Sequence, residues 1–145
     1  MAKTTNRGWS KTPTTSPDYH VGSPLVNHDA ALDDLDKVFA VEVDAGDGAI
    51  AIKEGTAVIT KGSAAALTLA APVAGLPSAA TPGDDGKVLR IVSTTAFANV
   101  VTTPANKLNG NKLTATFAAA AGGGLHLIAY NGVWYVLGNN GVTLT

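Results

Sequence analysis

The chain has 145 residues, enough for one domain of ordinary size. Only 14% of its residues are charged, against roughly 25% in a typical soluble domain. Hydrophobic residues reach 46% while aromatic residues reach only 6%, so the apolar content is largely Ala, Val and Leu. So little charge cannot cover the surface of a dispersed monomer, which indicates that contacts between subunits hide part of it.

The composition also argues against several classes of partner. The formal net charge of -1 gives no general electrostatic reason to bind nucleic acid or an anionic membrane. Without cysteine there is no disulfide or thiolate chemistry, and no apolar run approaches the roughly 20 residues of a membrane helix. The first residues, Met-Ala-Lys-Thr-Thr-Asn-Arg, lack the apolar core of a signal peptide, so we expect a cytoplasmic product that is not secreted.

Residues 1–27 are predicted to form an extended N-terminal arm. Pro13, Pro17 and Pro24 push the residues before them toward extended geometry, and no hydrophobic period appears between them. Such a segment is either a disordered tail or an arm held by another surface, most simply a neighbouring subunit. The apolar anchors of the arm would be Trp9, Tyr19, Val21, Leu25 and Val26.

Residues 28–40 are predicted to form one short amphipathic helix. Leu32, Leu35 and Phe39 recur at spacings of three and four and give a single apolar stripe. Asn27 or Asp29 can cap its start. A helix of this length is not stable alone, so its stripe is expected to dock on another surface.

Residues 41–145 are predicted to form a β domain, since short strand-like runs alternate with Gly-rich breaks and no second helix appears. Asn131-Gly132 lies between two strand-like runs and predicts a hairpin with a type I′ turn. Asn109-Gly110 and Asn140-Gly141 mark two further turns. The expected fold is mainly β: a compact antiparallel β sandwich, barrel or tulip-like domain, preceded by the arm and the helix.

Catalytic and metal-binding patterns are weak. His20, His28 and His126 share no metal-ligand spacing, and His126 is expected to project from its strand opposite its leucine neighbours. Residues 44–48 and 84–86 look faintly like calcium loops but lack the alternating ligands of an EF-hand, and Asp-Gly is also ordinary turn chemistry. No nucleophile motif stands out. We therefore expect no enzyme, no metal and no cofactor.

Trp134 and Tyr135 are neighbours in a predicted strand. Because successive strand residues face opposite ways, one of the two is expected in the core and the other outward. An outward aromatic side chain could bind sugar or a partner subunit, and burial against a neighbouring chain is the preferred interpretation.

Two stretches resemble phage virion proteins. The first is Gly86-Lys-Val-Leu-Arg-Ile-Val-Ser followed by Ala98-Asn-Val-Val-Thr, and the second is Leu125-His-Leu-Ile-Ala-Tyr-Asn-Gly-Val-Trp-Tyr-Val-Leu. Over about residues 46–145 this order of strands, turns and a Gly-x-Trp core is similar to small β modules of phage capsid decoration proteins, head fibres and tail fibres. The resemblance implies trimers with extended N-terminal arms and no catalytic residues.

These observations give one expected function and two alternatives. The first is a trimeric capsid decoration (cement) or head-fibre protein on the outer capsid surface of the virion, bound to itself and to the major capsid protein. Its contact residues would lie in the arm and helix, namely Trp9, Tyr19, Val21, Leu25, Val26, Leu32, Leu35 and Phe39. The alternatives are a tail-fibre or spike segment that recognises a host receptor and a carbohydrate-binding module.

Overall fold

The computed structural model describes Thr4–Thr5, Trp9–Ser10 and residues 39–145. The chain divides into two units, Met1–Asp36 and Lys37–Thr145. In the first, strands β1 (Thr4–Thr5) and β2 (Trp9–Ser10) pair in antiparallel fashion. The rest of the predicted arm, and the predicted helix up to residue 38, lie outside the described residues.

Residues 39–145 form ten strands and no helix, which confirms the prediction of a mainly β domain. One five-stranded sheet, called sheet I here, has the order β11-β10-β7-β5-β3, and the other, sheet II, has the order β12-β9-β8-β6-β4. The strands are β3 (Val41–Asp44), β4 (Gly48–Ile50), β5 (Gly55–Ile59), β6 (Ala66–Leu69), β7 (Val88–Ser93), β8 (Val100–Thr102), β9 (Thr114–Phe117), β10 (Gly124–Tyr130), β11 (Val133–Asn140) and β12 (Val142–Leu144).

The prediction of an antiparallel fold is wrong for the first half of this unit. From β3 to β8 each strand is followed by a strand of the other sheet, so neighbours within a sheet are two strands apart in sequence. These neighbours run parallel: β3 with β5 and β5 with β7 in sheet I, β4 with β6 and β6 with β8 in sheet II. The physical reason is that all five links from β3 to β8, over residues 45–47, 51–54, 60–65, 70–87 and 94–99, cross between the sheets, whereas a hairpin would return within one sheet.

The second half is antiparallel and contains the predicted hairpin. β10 and β11 pair with Tyr130 opposite Val133, and φ is 47° at Asn131 and 73° at Gly132. Positive φ at both turn residues is the requirement of a type I′ turn, which asparagine and glycine meet at low cost. The predicted turn at Asn109-Gly110 is also present, with φ of 50° and 76°.

Both sheets contribute alternate residues to one hydrophobic core. Trp134 is its largest fully buried side chain, and the indole Nε1 donates a 2.9 Å hydrogen bond to the carbonyl oxygen of Ala70. This bond satisfies the one polar atom of the ring. The other core members are Ile50, Ala57, Ile59, Ala65, Leu67, Leu69, Leu89, Ile91, Val101, Leu108, Ala115, Phe117, Leu125, Leu127, Ala129 and Val142.

A buried polar cluster joins the sheets at the link between β7 and β8. Asn99 is fully buried, and its Oδ1 accepts a 2.8 Å hydrogen bond from the backbone N–H of Ala65. Its Nδ2 donates to the hydroxyl of buried Ser93 at 2.8 Å, and that hydroxyl donates to the carbonyl of Thr95 at 3.0 Å. The bond from Ala65 joins the link over residues 60–65 to the link over residues 94–99, and the two bonds of Ser93 hold the Asn99 amide in place.

Replacing Asn99 with alanine should destabilise the β domain strongly. The Ala65 N–H would lose its partner inside the core, which predicts a fall in the free energy of unfolding of about 2–4 kcal/mol. Urea unfolding measures it. Asn111→Ala is the matched control because Asn111 is exposed and its side chain makes no hydrogen bond within residues 39–145. Equal midpoints for the two variants would show that the buried amide does not hold the crossing.

Candidate functional site

The predicted contact residues fall mostly beyond what the structure describes. Tyr19, Val21, Leu25, Val26, Leu32 and Leu35 lie outside the described residues. Trp9 lies in β2, where its backbone is level with Thr5. Phe39 lies in a turn before β3 and is 72% exposed. A role of these residues in contacts therefore stays a prediction.

The two adjacent aromatic residues of β11 divide as predicted. Trp134 is buried in the core, and Tyr135 points outward with 39% of its surface exposed. Tyr135 is level with Ile128 of β10, and Tyr130 at the end of the same strand is also exposed. The outward side of this hairpin therefore presents two tyrosines.

His126 also projects as predicted, opposite the buried side chains of Leu125 and Leu127. It is level with Arg90 of β7 and Gly138 of β11 on the outward side of sheet I. Its Nε2 is shielded from solvent and has no hydrogen-bond partner in the described part of the chain. His20 and His28 lie outside that part.

The acidic stretch at residues 84–86 forms an ion-paired anchor for the long loop before β7. The Asp84 carboxylate, buried at 7% exposure, accepts 2.7 Å hydrogen bonds from Lys53 Nζ, Lys87 Nζ and the backbone N–H of Val73. Burial alone would raise the pKa of Asp84, but these three donors outweigh it and lower the pKa to about 2. The Asp84 carboxylate is therefore ionised, and its bonds to the two lysines hold the loop against the rest of the domain.

Two acidic residues of the β3–β4 segment, Asp47 and Glu42, are used in the same structural way. Asp47 Oδ1 accepts hydrogen bonds from the backbone N–H of Ala66 at 2.7 Å and from Lys61 Nζ at 2.6 Å, and these bonds lower its pKa. The Glu42 carboxylate accepts from the N–H groups of Ala51 and Ile52, each at 3.0 Å. Within residues 39–145, no three His, Asp or Glu side chains converge in an arrangement that could hold a metal ion.

The outward side of sheet I is the most distinctive surface of the domain. Val43, Val58 and Val92 are level with one another across three parallel strands. Next to them Thr56, Arg90 and His126 form a polar row. The other outward positions are mostly apolar or aromatic, namely Val41, Val88, Ile128, Tyr130, Val133 and Tyr135, with Gly124, Gly138 and Asn140 at one end of the β10–β11 hairpin. We call this surface the sheet I face.

The outward side of sheet II differs in composition although its geometry is comparable. Threonines at its outward positions are level with one another from strand to strand, as with Thr114, Thr102 and Thr68. Its other outward residues include Ala49, Ala66, Val100, Thr116 and Thr143. Threonine combines high strand propensity with a hydroxyl that water can solvate, so this side suits contact with solvent.

The sheet I face was not predicted from the sequence, although a signal for it is present there. A strand with one side in water alternates apolar and polar residues, but β7, β10 and β11 carry apolar residues at consecutive positions. Val88-Leu89 and Ile91-Val92 are two such pairs. Consecutive apolar residues in a short strand indicate that both faces of the strand are suited to burial against other protein groups.

No protein-family model and no curated protein sequence matches this chain. In the part that the structure describes, no helix is long and apolar enough to cross a membrane.

The Asp84 anchor predicts an acid-sensitive contribution to stability. The folded pKa, about 2, lies below the ordinary value of 3.8, so the contribution is complete above pH 3.8 and declines as pH falls through the folded pKa. The shift corresponds to about 2 kcal/mol at neutral pH. Asp84→Asn should therefore be less stable than the native protein by at least this amount at pH 7.

Chemical unfolding at a series of pH values measures this effect. The stability difference between the native protein and Asp84→Asn should shrink as the solution is acidified below the unfolded pKa. Glu54→Gln is the control, since Glu54 makes no hydrogen bond through its carboxylate within residues 39–145. A difference that stays constant with pH would contradict the ionic role of Asp84.

Proposed function

We propose that this chain is a structural subunit of a phage particle: a trimeric capsid decoration (cement) or head-fibre protein that binds and stabilises the outer capsid surface. In this role the β domain supplies contacts between subunits. Residues 1–27, followed by 28–40, lie across neighbouring capsomers and contact the major capsid protein.

The observation that supports a structural subunit best is the distribution of charge in the β domain. Among its ten strands only Glu42, Asp44 and Arg90 are charged. Glu42 and Asp44 are level with the buried residues Ala57 and Ile59, so they lie on the inward side of edge strand β3. The outward sides of both sheets together therefore carry one charged residue, Arg90, whereas a dispersed monomer needs charge spread over its surface.

The charged residues in the loops are also largely engaged. Asp84 pairs with Lys53 and Lys87, and Asp47 pairs with Lys61. Paired charges hold the loops in place and leave few free groups for recognition of a charged ligand. Binding through many weak apolar and backbone contacts, multiplied by the linked arms of an oligomer, fits such a surface better than binding through one charged patch.

Deletion of residues 1–27 tests the capsid assignment. Co-sedimentation with capsids that lack the chain should be lost, because the arm is proposed to carry the docking contacts. The deletion leaves Lys37–Thr145, a unit with its own core, intact. Thr143→Glu, on an exposed edge position of sheet II, is the control and should still bind. Undiminished binding of the deletion variant would refute the proposed docking role.

A carbohydrate-binding role is the second candidate, and the exposed tyrosines favour it. Tyr130 and Tyr135 lie on the same side of the β10–β11 hairpin, where aromatic rings could stack on a sugar. A glycan array probed with the isolated protein distinguishes this role. Specific glycan binding that is lost in Tyr135→Ala would support a carbohydrate-binding role. The same result would also support a tail-fibre or spike segment that recognises a host receptor. An empty array would count against a carbohydrate-binding role.

A further inference from the structure

We propose that the sheet I face is the surface through which copies of this chain contact one another. The inference rests on the proposed role as a self-associating subunit and specifies which surface carries the association. Val43 is 62% exposed on β3, Tyr135 is 39% exposed on β11, and the face between them is mostly apolar. Exposed apolar surface of this extent marks an interaction site.

The contrast between the two sheets shows that the composition of this face is not imposed by strand propensity. Sheet II forms equally regular outward rows with threonines, for example Thr102 level with Thr114. At comparable outward positions sheet I carries Val58 and Val92. Both residue types suit a strand, so the difference lies in their affinity for water. The sheet II side is compatible with solvent, and the sheet I face is suited to burial.

The absence of opposing charge on this face favours a second copy over a charged partner. Arg90 is its one charged group among the described residues, and it lies on the central strand β7 between Thr56 and His126. A nucleic acid or an acidic peptide would need a cluster of cations, which the face lacks. Two copies of a nearly uncharged surface meet with little electrostatic cost. Tyr135 of one copy also offers a ring on which the guanidinium of another can stack.

The area of the face is large enough for such a contact. A five-stranded face about 24 Å wide and about 20 Å long presents on the order of 500 Å², since strands lie about 4.8 Å apart and rise about 3.3 Å per residue. Burial of this area on each of two copies removes on the order of 1,000 Å² from solvent, which reaches the lower bound of specific protein interfaces. In a closed symmetric assembly each subunit contributes this same face once.

Charge substitutions in the full-length chain test the proposal. Val43→Glu and Tyr135→Glu place a carboxylate on opposite halves of the face, and Thr143→Glu places one on an edge strand of sheet II. Sedimentation velocity is measured at a concentration where the native chain is fully assembled. Both face variants should sediment as monomers of 14.6 kDa, while Thr143→Glu should keep the native oligomer.

Circular dichroism and urea unfolding of the same samples show whether each variant is folded, so that a monomer can be distinguished from an unfolded chain. If either face variant is unfolded, Val43→Ser and Tyr135→Ser replace them and should still weaken association by at least tenfold. A native chain that is monomeric, or folded face variants that remain assembled, would overturn the proposal. If the folded face variants remain assembled, capsid binding through residues 1–27 would still be possible. The two proposals can therefore be refuted independently.

Discussion

The links that carry the chain from one sheet to the other impose the constraint on which this fold depends. Each link takes polar backbone groups past the edge of the core, where an N–H without a partner costs about 1–3 kcal/mol. Asn99 satisfies the buried N–H of Ala65, and Asp47 accepts a hydrogen bond from the exposed N–H of the neighbouring Ala66. These two bonds hold successive links against one another, beside strands that run parallel in both sheets.

The same arrangement determines what the surface of the domain presents. Since the strands carry almost no charge, the charged residues are concentrated in the loops, where Asp84 and Asp47 bind lysines of the same chain. The two sheets are then free to differ on their outward sides. One side is rich in threonine and suits water, and the other carries mainly valine and tyrosine. The proposed role as an assembled subunit rests on this difference.

Much of the local structure could be predicted from the sequence, because the signals are local. Asn131-Gly132 specified its hairpin, and the alternation of side chains placed Trp134 inside and Tyr135 outside. The parallel pairing could not be predicted in the same way. A short Gly-rich break looks alike whether the chain turns back within a sheet or crosses to another, and the deciding bond of Asn99 to Ala65 spans distant residues. The sheet I face depends on that pairing, since its valine row exists only in the parallel register.

Hydroxyl-radical footprinting of the full-length protein measures directly whether the sheet I face is covered in the assembled protein. Tyr135 on the sheet I face and Phe97 on the link between β7 and β8 are each 39% exposed in the single chain, so a monomer should show comparable oxidation of both rings. If the chain assembles through the sheet I face, Tyr135 should be strongly protected from oxidation and Phe97 should not. The protection of Tyr135 should be lost when the protein is diluted to concentrations at which the oligomer dissociates. Comparable oxidation of the two rings at every concentration would contradict assembly through this face.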